Sequence, residues 1–288
     1  MANAIWYKIL FQLKKIIFNI KAPAIARGFL FINLLIILLK ELKLQEDVLA
    51  VIWDYDGTLV DTRLKNFNVT KRILKQIAGE EILSSPLLQS LDEYSLAHLK
   101  TSNWREFYKN NFGFSEQQID EVGRMWTKYQ LDDESPVQFI DGLEKVIIKL
   151  EGYPQGIVSQ NSRDQIIRSL DQSGVSSYIK CIVGYEEVDI KRQKPNPDGL
   201  LLCIRKLADQ ESGNVIYIGD HETDVICVTN ANKILKENNS KIKILCIRAY
   251  YGSNIDNGSR GKAPDYEART PESILEIIES FTDERKSV

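Results

Sequence analysis

The sequence predicts an α/β protein built on a parallel sheet with helices on both faces and carrying an inserted all-helical unit. Three observations predict it. Val48–Trp53 is an unbroken apolar run, the pattern of a strand buried on both faces, and it stops abruptly at Asp54-Tyr55-Asp56-Gly57-Thr58. From residue 139 onward, short apolar runs alternate with amphipathic helical stretches, the signature of a parallel α/β sheet. Between these two regions, residues 63–135 carry helical periodicity throughout. The expected organisation is therefore a Rossmann-like core of residues 47–62 and 136–288, a helical domain of residues 63–135, and an N-terminal extension of residues 1–46.

The first strand leads into a turn in which Gly57 supplies a permissive backbone and Thr58 is expected to fix the geometry by hydrogen bonding. Residues i and i+2 of an extended chain share a side. Asp54 and Asp56 are thus expected to project together from the carboxyl end of the strand, the edge where open parallel sheets bind ligands. Leu64, Phe67, Leu74 and Ile77 mark the first inserted helix, with Asp61 and Thr62 placed to cap it or to face the hinge. Ser84-Ser85-Pro86 breaks the pattern, a second helix carries Leu87, Leu88 and Leu91, and a third region holds Trp104, Phe107 and Tyr108. Ser115 with Gln118 forms a capping box, followed by the stripe Ile119, Val122, Trp126 and Tyr129. These aromatics read as the core of a small bundle, with a substrate wall as the alternative.

In the second half, Asp141 with Glu144 reads as another capping box, ahead of Leu143, Val146, Ile147 and Leu150. The strand Gly156–Val158 ends at Ser159-Gln160-Asn161. Ser162 with Gln165 caps the next helix, and Gly174 ends it. Ile179–Val183 is a further strand. Lys194-Pro195-Asn196-Pro197 precedes a helix buried through Leu200, Ile204 and Leu207, with Pro197 suited to its first turn. Val215–Ile218 ends at Gly219-Asp220-His221-Glu222-Thr223-Asp224, and Ile242–Ile247 is the last buried strand. A polar loop (251–261) and a helix starting at Thr270-Pro271 complete the chain.

The 288 residues have ordinary globular composition and a net charge of −3, which points to no nucleic-acid partner. The charge is uneven. Residues 1–40 hold Lys8, Lys14, Lys15, Lys21, Arg27 and Lys40 and no acid, leaving 31 basic against 40 acidic side chains in the rest. The apolar run Phe29–Leu39 is about half the ~20 residues that span a bilayer, and Lys40-Glu41-Leu42-Lys43 offers no signal-peptide cleavage site. This leader has three readings: a basic amphipathic element on a membrane surface, a segment packed on the body or a partner, or a dispensable extension. The expected location is cytoplasmic, with peripheral membrane attachment through the leader as the variant. Cys181, Cys203, Cys227 and Cys246 lie far apart and read as buried small hydrophobes. With His98 and His221 the only histidines, a histidine-rich metal site is excluded.

The string Asp54-Tyr55-Asp56-Gly57-Thr58-Leu59-Val60-Asp61-Thr62 resembles the first motif of the haloacid dehalogenase (HAD) superfamily, in its phosphoglycolate-phosphatase-like branch. Ser159, Lys194 and the pair Asp220 and Asp224 fit the second, third and fourth motifs in the order that superfamily uses, and the helical insertion resembles its C1-type cap. The resemblance covers residues 47–280 and leaves the leader out. It implies that Asp54 is the nucleophile of a phosphoryl transfer and Asp56 the general acid and base. It further implies that Ser159 and Lys194 bind the phosphoryl oxygens. Mg²⁺ is expected on Asp54, the main-chain carbonyl of Asp56, and Asp220, with Asp224 a further ligand or a group orienting Lys194. The electrostatics agree: two like charges 4 Å apart repel by ~4 kcal/mol at an effective dielectric of 20, so a phosphate dianion needs a divalent ion and a lysine to approach these acids. Asp56 favours phosphate esters over halides, since a halide leaves without a proton. His221 departs from the small hydroxyl residue usual after Gly-Asp.

The expected activity is Mg²⁺-dependent hydrolysis of a small phosphorylated metabolite. The alternatives are a phosphomutase of the β-phosphoglucomutase type, or a membrane- or partner-attached protein with negligible turnover. Arg63, Lys65, Lys100, Arg105 and Lys109 are the candidates for a second anionic group of the substrate, with solvated surface as their other reading.

Overall fold

The computed structural model describes residues 48–101, 103–208, 212–252 and 262–283. The basic leader and most of the polar loop at 251–261 lie outside these residues. Among the described residues, no helix is long and apolar enough to cross a membrane.

Six parallel strands form the core sheet: β1 (Val48–Trp53), β4 (Gln155–Val158), β5 (Ile179–Val183), β6 (Ser212–Gly219), β7 (Lys241–Ala249) and β8 (Tyr266–Ala268). Their order is β5-β4-β1-β6-β7-β8, so β1 is central, with Val51 beside Gln155 and beside Ile216. Alternation along β1 explains its continuous apolar run. Val51 and Trp53 face one layer, with α5 (Leu143–Lys149), α6 (Arg163–Ser173) and α9 (Pro271–Asp283). Ala50 and Ile52 face the other, with α7 (Asp198–Leu207) and α8 (Glu222–Glu237). Both faces are dry, so neither register can be polar. Trp53 is fully buried, and its indole N–H donates to Gln155 Oε1 at 3.0 Å, whose amide in turn donates to the Ile147 carbonyl at 2.8 Å.

The inserted helices α1 (Arg63–Ala78), α2 (Leu91–Leu99), α3 (Trp104–Phe112) and α4 (Glu116–Asp132) enclose a separate core of Phe67, Tyr94, Phe107, Tyr108, Ile119 and Val122. Leu87 and Leu88 belong to a short 3₁₀ turn at Pro86–Leu88, and the second helix starts only at Leu91 because Ser90 caps it there. The Ser115–Gln118 box opens α4. Ser162 and Gly174 (φ 72°) bound α6.

Other local expectations shift. Asp141 does not cap α5; Gly142, at φ 92°, occupies the N-cap without a side-chain bond. Pro197 sits at the N-cap of α7, one residue before its first turn. The two crossings into the inserted helices are joined by a short antiparallel ribbon, β2 (Val60–Asp61) against β3 (Gln138–Phe139), too short to show any period in sequence. Buried Lys65 clasps the same crossings, donating to the Asp133 carbonyl at 2.5 Å. All four cysteines are buried and free.

Candidate active site

Asp54, Ser159 and Asp220 are each the first residue beyond one of three adjacent strands, β1, β4 and β6. The ladder still holds two of them: Asp54 N–H donates to the Ile218 carbonyl at 2.7 Å, and Ser159 N–H to the Val183 carbonyl at 3.0 Å. Beyond Asp54 the chain turns. Gly57, at φ 78°, donates its N–H to the Val60 carbonyl at 2.8 Å, and Thr58 Oγ1 donates to Asp220 Oδ1 at 3.2 Å. Thr58 therefore ties the first motif to the fourth across the sheet edge, besides supporting its own turn.

Lys194 reaches these acids from the connection after β5. Its ammonium bonds Asp54 Oδ1, Asp224 Oδ1 at 2.8 Å and Tyr217 Oη at 3.1 Å, which uses all three donors. It is only 7% exposed. Burial by itself would lower its pKa, but Asp224 and Asp54 outweigh that and hold it well above the ordinary lysine value. Asp224 has both oxygens engaged: Oδ1 accepts from Lys194 and from Tyr217 Oη at 2.9 Å, and Oδ2 accepts from His221 N–H at 3.1 Å. The His221 ring caps α8, with Nδ1 accepting from Thr223 N–H at 3.2 Å. A histidine thus fills the capping role that a small hydroxyl residue would otherwise take.

Asp56 lies in the turn, with different partners from Asp54. It accepts from Thr62 Oγ1 at 2.5 Å and from Asn161 Nδ2 at 2.9 Å, with Ser159 Oγ at 3.5 Å. Thr62 occupies the N-cap of α1 but makes no side-chain capping bond, because its hydroxyl is committed to Asp56. Asn66 Nδ2 donates to Thr62 Oγ1 at 3.2 Å, and Gln130 Nε2 donates to Asn66 Oδ1 at 3.2 Å. The Asp56 carboxylate is thereby held by groups from the core and the inserted helices together. Burial pushes its pKa above the usual carboxylate range, against these hydrogen bonds.

These residues open onto a cavity of about 290 Å³ between the sheet edge and the inserted helices. Of the basic residues expected to meet a second anion, only Arg63 lines it, and Arg63 is paired with Asp61 at 2.7 Å. Lys65 is buried in the crossings, Arg105 pairs with Glu116 and Asp120, and Lys109 pairs with Glu116. Lys100 is exposed and off the lining.

One oxygen each from Asp54, Asp220 and Asp224 lies within 4.8 Å of the others. An all-oxygen carboxylate set suits a hard divalent ion such as Mg²⁺. Burial and neighbouring negative charge push Asp54 up to about 7 and Asp220 well above the ordinary value, a strain that a cation at this edge would relieve.

The model of the haloacid dehalogenase-like hydrolase family matches residues 51–234, the span that contains every one of these positions. The chain belongs to this family. The pyrophosphatase PpaX of Bacillus velezensis is similar, at 26% identity over 192 residues, 64% of this chain and 80% of that protein. PpaX of Listeria monocytogenes is 26% identical over 200 residues, 65% of this chain and 81% of that one. Among solved structures, CbbY from Rhodobacter sphaeroides in complex with phosphate has a TM-score of 0.59 at 16% identity, covering 79% of this chain and 96% of that chain. A haloacid dehalogenase-like hydrolase from Streptococcus pneumoniae has a TM-score of 0.60 at 16% identity, covering 80% and 98%. At these identities the solved structures speak for the fold alone. This HAD-like hydrolase is an enzyme of the phosphatase type.

Two residues that organise the HAD-like site carry little sequence signal. Tyr217 sits inside the apolar run of β6; its only hint is a phenol on a fully buried strand, which needs a polar partner. Asn161 reads as loop, yet it is the amide that holds Asp56. Gly219 is needed for close approach: a Cβ there would lie 2.5 Å from the Asp224 carboxylate. Gly219→Ala is expected to displace Asp224 and, with it, Lys194. Because misplacement by about 1 Å can cost 10²-fold, kcat/KM should fall about tenfold or more, measured beside circular dichroism showing a retained fold.

Proposed function

We propose that this HAD-like hydrolase is a Mg²⁺-dependent phosphatase that cleaves a small phosphorylated metabolite through an aspartyl-phosphate. The observation that carries the reading is the division of labour between its two first-motif acids. Asp54 stands with Lys194 beside Asp220, while Asp56 is held apart by Asn161 and Thr62 on the same cavity. Asp54 attacks phosphorus as the ester P–O bond breaks, and Asp56 gives its proton to the departing alkoxide. Asp56 then takes a proton from water as the water oxygen attacks phosphorus and the bond to Asp54 breaks. Burial shifts Asp56 in the direction a general acid requires. Ser159 and Lys194, which turns its Asp54 donor onto the incoming phosphate, hold phosphoryl oxygens as charge develops.

Asp54, the Asp56 carbonyl and Asp220 would hold Mg²⁺, which when bound supplies charge neutralisation for the incoming dianion. Asp224, with both oxygens already engaged, orients Lys194. The helices of residues 63–135 act as a cap over the core of residues 47–62 and 136–288, and the cavity between them receives the substrate.

The test is phosphate release from a panel of small esters by the purified chain. Release with Mg²⁺ that EDTA abolishes and re-added Mg²⁺ restores is the expected result. Release unaffected by EDTA would remove the metal from the scheme. Retention of the phosphoryl group as a sugar bisphosphate, without free phosphate, would instead favour the mutase.

A further inference from the structure

The cavity has two chemically different ends. The sheet end holds the carboxylates, Lys194 and Ser159. The other end is walled by rings: Tyr94, His98, Trp104, Tyr108 and Trp126 from the inserted helices, and Tyr185 from the core. A leaving group bearing a second phosphate or carboxylate would need a cation among them. Arg63 is the only lysine or arginine among the described lining residues of that end, and its Nε and Nη2 already donate to the Asp61 carboxylate at 3.0 and 2.7 Å.

His98 is no substitute for that cation. Burial drives its pKa down to about 3, so the ring is neutral, and it stacks on Phe107 with centroids 3.7 Å apart and planes 15° apart. Its Nε2 is buried without a hydrogen-bond partner. With that atom sealed from the cavity, His98 offers the ligand only neutral ring surface. The aromatic walls favour a flat apolar body, which gains both burial and ring contacts. At about 290 Å³ the cavity is at the small end of ligand pockets, room for the phosphoryl group and a single ring system.

We infer that this cavity takes the phosphate monoester of a flat, uncharged, ring-bearing alcohol, with the ring against Trp104 and Trp126. The inference rests on the phosphatase reading and names its substrate class. It sets the chain apart from an enzyme built for a dianionic leaving group.

The experiment compares kcat/KM with Mg²⁺ for benzyl phosphate, 3-pyridylmethyl phosphate, 2-phosphoglycolate and inorganic pyrophosphate. Both ring esters should exceed phosphoglycolate and pyrophosphate, whose leaving groups carry a further anion, by about tenfold or more, the scale of apolar-pocket discrimination. Trp104→Leu should raise KM for benzyl phosphate far more than it changes kcat; Trp126→Leu serves if that variant does not fold. Preferred turnover of phosphoglycolate or pyrophosphate overturns the inference and leaves the phosphatase reading standing. No Mg²⁺-dependent turnover of any of the four overturns both.

Discussion

Asp54→Asn is expected to abolish phosphate release while leaving the fold intact. The amide has the shape of the carboxylate and keeps one oxygen to accept the bond from Lys194, but it cannot attack phosphorus. Loss of a nucleophile that works as a unit with its neighbours costs about 10⁴-fold or more in kcat, so turnover should drop to background. Stability should not fall with it. Burial raises the folded-state value of Asp54 from 3.8 to about 7. The ionised form is therefore the one that folding disfavours, and the stability from this group that is present below pH 3.8 is lost as pH rises toward 7. A neutral amide escapes that loss. Lys194 loses one of its two counter-ions but keeps Asp224, so in EDTA at pH 7.5 the variant should melt close to the parent temperature, and residual activity above a few per cent would remove Asp54 from the nucleophile role.

Lys194→Met carries the second large effect, and it should strike stability and activity together. Lys194 is the cation that contacts Asp54 and Asp224, and both partners are buried. Removing one partner of a buried ion pair typically costs about 3–5 kcal/mol, because the remaining charge has neither water nor counter-ion. Activity should fall by about 10²–10³-fold, the usual cost of losing one donor to a developing oxyanion. The two effects separate on adding Mg²⁺. The divalent ion offsets the carboxylate repulsion and should recover part of the lost melting temperature, but it cannot replace the ammonium at the phosphoryl oxygens. Full recovery of turnover by Mg²⁺ would show that Lys194 serves only to balance charge. A wild-type melting temperature in EDTA would show that the pair adds nothing to folding.

Most of the fold was legible in the sequence because its determinants are local. Unbroken apolar runs marked the doubly buried strands β1, β6 and β7. Ser115, Ser162 and Gly174 announced helix ends through capping and a left-handed backbone within a few residues. The order of acids, Ser159 and Lys194 along the chain likewise pointed to one sheet edge, since strand ends in a parallel sheet converge there.

What the tertiary structure alone decided is the choice of partner. Thr62 reads as a helix cap but bonds Asp56 across the turn, since the Asp56 carboxylate is the stronger acceptor within reach. Lys65 reads as a cationic candidate but is drawn into the crossings by carbonyls some 68 residues away. Arg63 is paired with Asp61, and Arg105 with Glu116 and Asp120, so the inserted-helix side of the cavity is mostly aromatic. The sequence by itself determined the sheet, its helical insertion and the chemistry-bearing edge, because periodicity and capping act over a few residues. The identity of each side chain's partner was decided only when the sheet closed and the helices packed over it, because that choice depends on distances between residues far apart in the chain.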